Sequence, residues 1–180
     1  KIHVIPNGFD PADFDPSVSP PRDVFRITYV GTMAERYRPA AFFKAVAELR
    51  KEGTPLPLRL RFVGSTQGAL EPILQAYGLQ DMAEFIGHVP HRQATRYMQE
   101  SNALLLVIPD VPNAKGILTG KLFEYLGAGR PVIALGPVDG DASAILKETG
   151  AGRMFGREEG TILLEHLHEL LSGTSNQSRS

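Results

Sequence analysis

From Phe25 onward, short apolar runs rich in β-branched residues alternate with amphipathic stretches of helical length, and strand and helix change places six times. Strands are predicted at 26–30, 58–63, 84–86, 103–108 and 131–135, with a weaker one at 153–155. Helices are predicted at 40–51, 68–77, 91–100, 120–128, 141–148 and 158–171. Such alternation builds a parallel sheet with helices on both faces. The run ALLLVI at 103–108 is apolar on both sides, as a central strand of that sheet must be. The predicted fold class is therefore α/β, a Rossmann-like doubly wound parallel sheet of about six strands.

Outside this alternation the text changes character. Residues 11–22, PADFDPSVSPPR, hold four prolines and no periodicity, which suits an extended connector and not an element. Residues 1–24 therefore read as a linker, opened by a strand-like Ile2 to Ile5, and residues 25–172 as the folded domain. The closing SGTSNQSRS is poor in apolar residues, so 173–180 is expected to be disordered. A start at Lys1 directly in strand-like sequence reads as a piece of a longer chain.

With 180 residues, 42% of them hydrophobic, the chain can bury one sizeable core. Its 19 basic and 20 acidic side chains leave a net charge of −1, which advertises neither nucleic acid nor an acidic membrane surface as partner. A small ligand is the better expectation. The absence of cysteine excludes disulfides, thiol catalysis and Cys-based zinc sites. No apolar run approaches the roughly 18 residues that span a bilayer. The expected location is the cytoplasm, with the inner-membrane surface as the alternative for a full-length protein.

In an open sheet of this kind, ligands bind outside the carboxyl ends of the strands, where strand order reverses. Those ends read Gly31-Thr32, Gly64-Ser65, Gly87-His88, Pro109-Asp110 and Gly136-Pro137. The first three begin with glycine, which admits a close backbone approach by a ligand and is also simply common in turns. The dinucleotide fingerprint G-x-G-x-x-G is missing after the first strand, which argues against NAD. GILTGKL is one residue short of a P-loop and has Leu122 where a hydroxyl would hold magnesium.

Lys121 nevertheless asks for an anion. It falls in the first turn of the helix at 120–128, facing the positive end of the helix dipole at a cost of about 0.3–1 kcal/mol unless something negative sits in front. Thr119, Gly120 and Lys121 together offer exposed backbone N–H groups, a dipole and an ammonium, the ingredients of a phosphate site. Glu124 projects from the same face about a turn later. A surface Lys–Glu pair is the alternative, although its favourable order is Glu before Lys. A carboxylate can accept both vicinal hydroxyls of a ribose. Phosphate plus ribose makes a nucleotide.

KLFEYLGAGRPVIA at 121–134 resembles the signature region of GT-B glycosyltransferases, above all the retaining family 4. VIPNGFD at 4–10, YVGTM at 29–33, RFVGS at 61–65 and FIGHVPHRQATRYMQESNALLLV at 85–107 match in order. The resemblance implies the carboxyl-terminal, donor-binding half of a GT-B fold, entered at the interdomain linker. It implies a nucleoside-diphosphate sugar, UDP- or GDP-linked, as donor, and no other cofactor. In this resemblance Glu124 holds the donor ribose, and the amides of Thr119, Gly120 and Lys121 receive the diphosphate. Gly31 and Thr32 close on the phosphates, with Gly64 at the next strand end, and the loop around His88 and Val89 borders the nucleobase.

The pattern departs from the family at two places. Gly116 replaces the first family glutamate, eight residues before Glu124, and Thr32 stands where an arginine is common, leaving Arg36 or Arg38 as substitutes. No catalytic residue can be named. His88 fits either a base pocket or a solvated turn, while His166 and His168 read as ordinary helix residues, and no metal site is expected. The partners implied are a nucleotide sugar and a missing amino-terminal domain that carries the acceptor site. A UDP-sugar 2-epimerase of the same fold and a non-catalytic nucleotide-binding module remain as other classes.

Overall fold

The computed structural model describes residues 7–37 and 39–177. The strand-like Ile2 to Ile5 and Arg38 lie outside them. Six strands, β1 (Phe25–Val30), β2 (Leu58–Val63), β3 (Ala83–Ile86), β4 (Ala103–Val107), β5 (Val132–Leu135) and β6 (Gly152–Phe155), form one sheet in the order β3-β2-β1-β4-β5-β6. Every pairing is parallel. The helices are α1 (Ala40–Glu52), α2 (Gln67–Ala76), α3 (His91–Gln99), α4 (Gly120–Ala128), α5 (Asp141–Thr149) and α6 (Gly160–Gln177). This is the predicted Rossmann-like α/β fold, with element bounds close to those read from the sequence.

The period of two along the strands divides the core into two layers. Leu105 and Val107 of β4 join Phe42, Phe43, Val46 and Leu49 of α1 and Leu163, Leu167 and Leu171 of α6 on one face. Leu104 and Leu106 join Met98 of α3, Leu122, Phe123 and Tyr125 of α4, and Leu146 of α5 on the other. All five residues of β4 are buried, as its uninterrupted apolar run demands. Helices α4 and α5 stop at Gly129 and Gly150, whose φ of 64° and 65° put them in the left-handed region that glycine adopts without steric cost.

Two expectations change. Helix α6 continues through Gln177, so residues 173–177 are helical where a disordered tail was predicted. Low apolar content misled because this turn needs no core of its own. It extends a helix already anchored by Leu171, Thr174 bonds back to Leu170 O at 3.0 Å, and the turn borders a cleft it shares with Pro20, Pro21 and Arg22.

The proline-rich residues 7–24, for their part, are more than an extended connector. Pro11–Asp13 forms a 3₁₀ turn capped by the Asp10 carboxylate, which accepts the Ala12 N–H at 2.9 Å. The segment then runs as a strap along α3. Thr95 Oγ1 donates to Asp13 O at 2.9 Å, the Asp15 N–H donates to Gln99 Oε1 at 3.1 Å, and Gln99 Nε2 donates to Asp15 O at 2.8 Å. Polar side chains of the domain thus satisfy the backbone groups that the prolines keep out of regular structure.

Candidate functional site

The strand order reverses between β1 and β4, and there the sheet opens. The two strands pair at Ile27↔Ala103 and Thr28↔Leu104 and then part. Tyr125 of α4 fills the gap: its hydroxyl accepts the Val30 N–H at 3.0 Å and donates to Leu105 O at 3.1 Å. One buried side chain replaces the missing ladder, and burial pushes its hydroxyl well above the ordinary phenol value. Tyr125 therefore fixes α4, and with it the residues one turn earlier, against the opening crevice.

Lys121 lies over the carboxyl end of β1. Its Nζ sits 3.9 Å from the centre of the Tyr29 ring, a cation–π contact. Burial draws its pKa down from 10.5 to about 8, against the opposing field of Glu124. Among the described residues it has no carboxylate in hydrogen-bonding contact. Thr119, the N-cap of α4, makes no side-chain cap, and its Oγ1 is buried without a hydrogen-bond partner. A threonine at this place ordinarily accepts an N–H of the first turn. Among the described residues no side-chain cap or backbone carbonyl takes the N–H groups of Gly120 and Lys121.

Gly31 and Gly64 are required by this packing. Gly31 has φ +126°, and a Cβ there would lie 2.8 Å from Lys121 Nζ; Gly64 has φ +106°, and a Cβ there would lie 2.5 Å from Gly31 O. The sequence reading gave these glycines room for a ligand, and the structure shows the protein itself using that room. Gly87 and Gly116, by contrast, face open space.

Gly31, Thr32, Gly64 and His88 line one open cleft of about 610 Å³, with Ser65, Thr66, Gln67, Gly68 and Gly87. Val89 is half-buried beside it. Thr119, Gly120, Lys121 and Glu124 approach from α4, joined to the cleft by the contact between Lys121 and Gly31. A cleft of equal volume runs between the strap and α3, but it includes no strand end. The strand-end cleft is therefore the candidate site.

Several residues of the site were not singled out from the sequence. Tyr29 and Tyr125 read as ordinary strand and helix aromatics, and only the fold places them at the strand reversal. Asn7 comes within 3.6 Å of where a Gly120 side chain would begin. Arg36, one of the two arginines expected to stand in after β1, is exposed, its guanidinium 5.7 Å from the Tyr37 ring centre. Arg157 donates to Tyr37 O at 2.6 Å and to Ile108 O at 2.7 Å, tying the loop after β1 to the end of β4. Among the described residues no group of three or more His, Asp or Glu side chains could hold a metal ion.

Similar proteins share this architecture. The fold matches sucrose-phosphate synthase from Thermosynechococcus elongatus with a TM-score of 0.71 and 22% identity, over 96% of this chain and 44% of that one. It matches Anabaena HepE, solved with UDP and glucose, with a TM-score of 0.65 and 18% identity, over 98% of this chain and 52% of that one. In sequence, the chain is 26% identical over 138 residues to a protein of Escherichia coli (strain K12) named as the colanic acid biosynthesis glycosyltransferase WcaL. That match takes in 74% of this chain and 34% of WcaL, so the chain spans about a third of its relative's length. Residues 24–173 match one family throughout, and the chain belongs to it: the glycosyl transferases group 1.

Proposed function

We propose that this chain is the donor-binding half of a retaining glycosyltransferase, one that moves a sugar from a nucleoside diphosphate to an acceptor in polysaccharide or glycoconjugate synthesis. The observation that carries the reading is the start of α4, where an uncapped N-terminus, a buried unpartnered threonine hydroxyl and a desolvated ammonium meet at the strand reversal. A diphosphate satisfies all three at once. Glu124, half-exposed on the same helix face, then takes the ribose hydroxyls, and the loop of His88 and Val89 borders the base. The rest of the longer relatives' length would supply the acceptor half of the cleft.

Catalysis in this arrangement is positioning plus stabilisation of the departing diphosphate. The Gly120 and Lys121 N–H groups and the Lys121 ammonium meet the charge that develops as the glycosidic C–O bond breaks. No step in it calls on a metal ion.

One observation favours a second reading. Gly116 is exposed, ends the short 3₁₀ turn Ala114–Gly116 and presents no side chain where the family has a glutamate beside the transferred sugar. A non-catalytic nucleotide-binding module would tolerate that loss. Calorimetry of the chain with UDP, GDP, ADP and dTDP tests donor binding. Incubation of the full-length protein with the corresponding sugar nucleotides, followed by NMR of the anomeric centre, tests transfer and retention. Binding without transfer supports the module, and an epimerised sugar supports an epimerase. Absence of nucleotide binding overturns the donor-site reading itself.

A further inference from the structure

Besides Asn7 beside Gly120, the strap reaches the proposed site through a histidine of α3. His91, the first residue of α3, points a ring nitrogen to each side: Nε2 lies 3.1 Å from Asp13 Oδ2 on the strap, and Nδ1 lies 3.8 Å from Glu124 Oε1 on α4. We propose that His91 is a positioning residue for the donor site, held by Asp13 and holding the Glu124 carboxylate where it meets the ligand's hydroxyls. This inference rests on the reading of Glu124 as the ribose ligand.

Three features favour positioning over a merely structural role. The strap needs no help from His91, because Thr95 and Gln99, one and two turns further along the same face of α3, already hold Asp13 and Asp15 by their backbones. The His91 side chain is 53% exposed, so it adds little to the core. At 3.8 Å its contact with Glu124 is longer than a hydrogen bond. It biases where the carboxylate sits while leaving the oxygens' lone pairs for ligand hydroxyls. Both ring nitrogens face carboxylates, Asp13 on one side and Glu124 on the other. His91 thus stands between the strap and Glu124 and joins the two.

The experiment is calorimetry of the 180-residue chain and its His91→Ala, His91→Gln, Asp13→Asn and Glu124→Ala variants with UDP, GDP and their 2′,3′-dideoxy counterparts. His91→Ala should weaken the ribose nucleotide that binds by roughly three- to tenfold, a fraction of the direct interaction it positions, and leave the dideoxy form unchanged. Asp13→Asn should give a smaller loss of the same kind. His91→Gln, whose amide can still donate towards Glu124, should recover part of it. In the parent, the His91 ring ¹⁵N resonances should shift when the ribose nucleotide is added and stay put with the dideoxy one.

If Glu124→Ala weakens the ribose form and His91→Ala does not, His91 has no positioning role and the ribose reading survives. Equal losses for ribose and dideoxy forms would mean that His91 acts on the fold, which also overturns the proposal. An unaffected Glu124→Ala overturns the ribose reading underneath it. Circular dichroism checks each variant's fold, and if His91→Ala does not fold, His91→Gln, Asp13→Asn and the ring resonances decide.

Discussion

Diphosphate affinity should fall as the pH is raised through 8, and Lys121 should be the cause. Burial over the Tyr29 ring brings its pKa to about 8, so the ammonium is partly deprotonated where most lysines are fully charged. A diphosphate facing Nζ favours the charged form and raises that value, so binding takes up a proton. If the neutral form binds as weakly as a side chain with no charge, about 1.5–3 kcal/mol worse, affinity follows the protonated fraction down to that floor. With a pKa near 8, that fraction falls from about 0.8 at pH 7.5 to about 0.03 at pH 9.5, so affinity should drop about 7- to 20-fold.

The phosphate groups of a nucleoside diphosphate are ionised throughout this window, with a second pKa near 6, and contribute no slope of their own. Calorimetry in two buffers of different ionisation enthalpy reads the proton directly, with an uptake of about 0.5 expected at pH 8. Lys121→Met, which keeps an apolar stem on Tyr29, should weaken the ligand by about 1.5–3 kcal/mol at pH 7.5 and abolish the slope. Stability without ligand should move the opposite way. The unfolded chain holds its proton up to about 10.5 and the folded one only to about 8, so stability should rise with pH between those values. An affinity that stays flat from pH 7.5 to 9.5, or one that falls equally in Lys121→Met, would refute the placement of Lys121 against the diphosphate.

Other expectations follow from single contacts. Glu124→Ala should weaken nucleoside and nucleoside diphosphate alike, while a 2′,3′-dideoxy ligand should bind the parent poorly and lose little more in the mutant; calorimetric titration forms this cycle. Tyr125→Phe strips the hydroxyl that joins Val30 N–H to Leu105 O and should cost about 1–3 kcal/mol in urea unfolding, because two buried backbone groups lose their partner. Gly31→Ala forces a side chain into the left-handed region 2.8 Å from Lys121 Nζ. It should both destabilise the fold by about 1–2 kcal/mol and weaken the diphosphate, as unfolding and binding curves would show. Nucleotide affinity should survive EDTA, and a loss restored by magnesium or manganese would overturn the metal-free reading.

The sheet was legible because each of its signals is local. A buried parallel strand reads as a continuous apolar run, a helix as a 3.6-residue period, and their alternation leaves one architecture. The start of α4 was legible for the same reason: a lysine in a first turn is a local anomaly. What could not be read was whatever depends on which strand ends face each other. Tyr125 looks like one apolar residue of KLFEYL until β1 and β4 diverge beside it. Gly64 looks like a turn glycine until the backbone of Gly31 arrives at the distance of a Cβ. His91 and Asp13 are 78 residues apart, and nothing in either stretch announces the other. The strap misled in a similar way, since prolines predict missing backbone bonds but not the threonine and glutamine of α3 that replace them.

The start of α4 carries three electrostatic costs together, and they set how an anion would bind there. The Lys121 ammonium faces the positive end of α4, it is desolvated against Tyr29, and the Thr119 hydroxyl is buried with no partner. Within the fold only the cation–π attraction of Tyr29 offsets them. The first alone costs about 0.3–1 kcal/mol, and the depressed pKa of Lys121 shows that the protein resists holding the charge there. Tyr125, by bridging the divergent strands, prevents α4 from shifting to relieve them. An anion placed before the helix turns all three from unfavourable to favourable without moving the backbone. A site held in this way spends little binding energy on reorganisation, so donor affinity should reside in the diphosphate more than in the sugar.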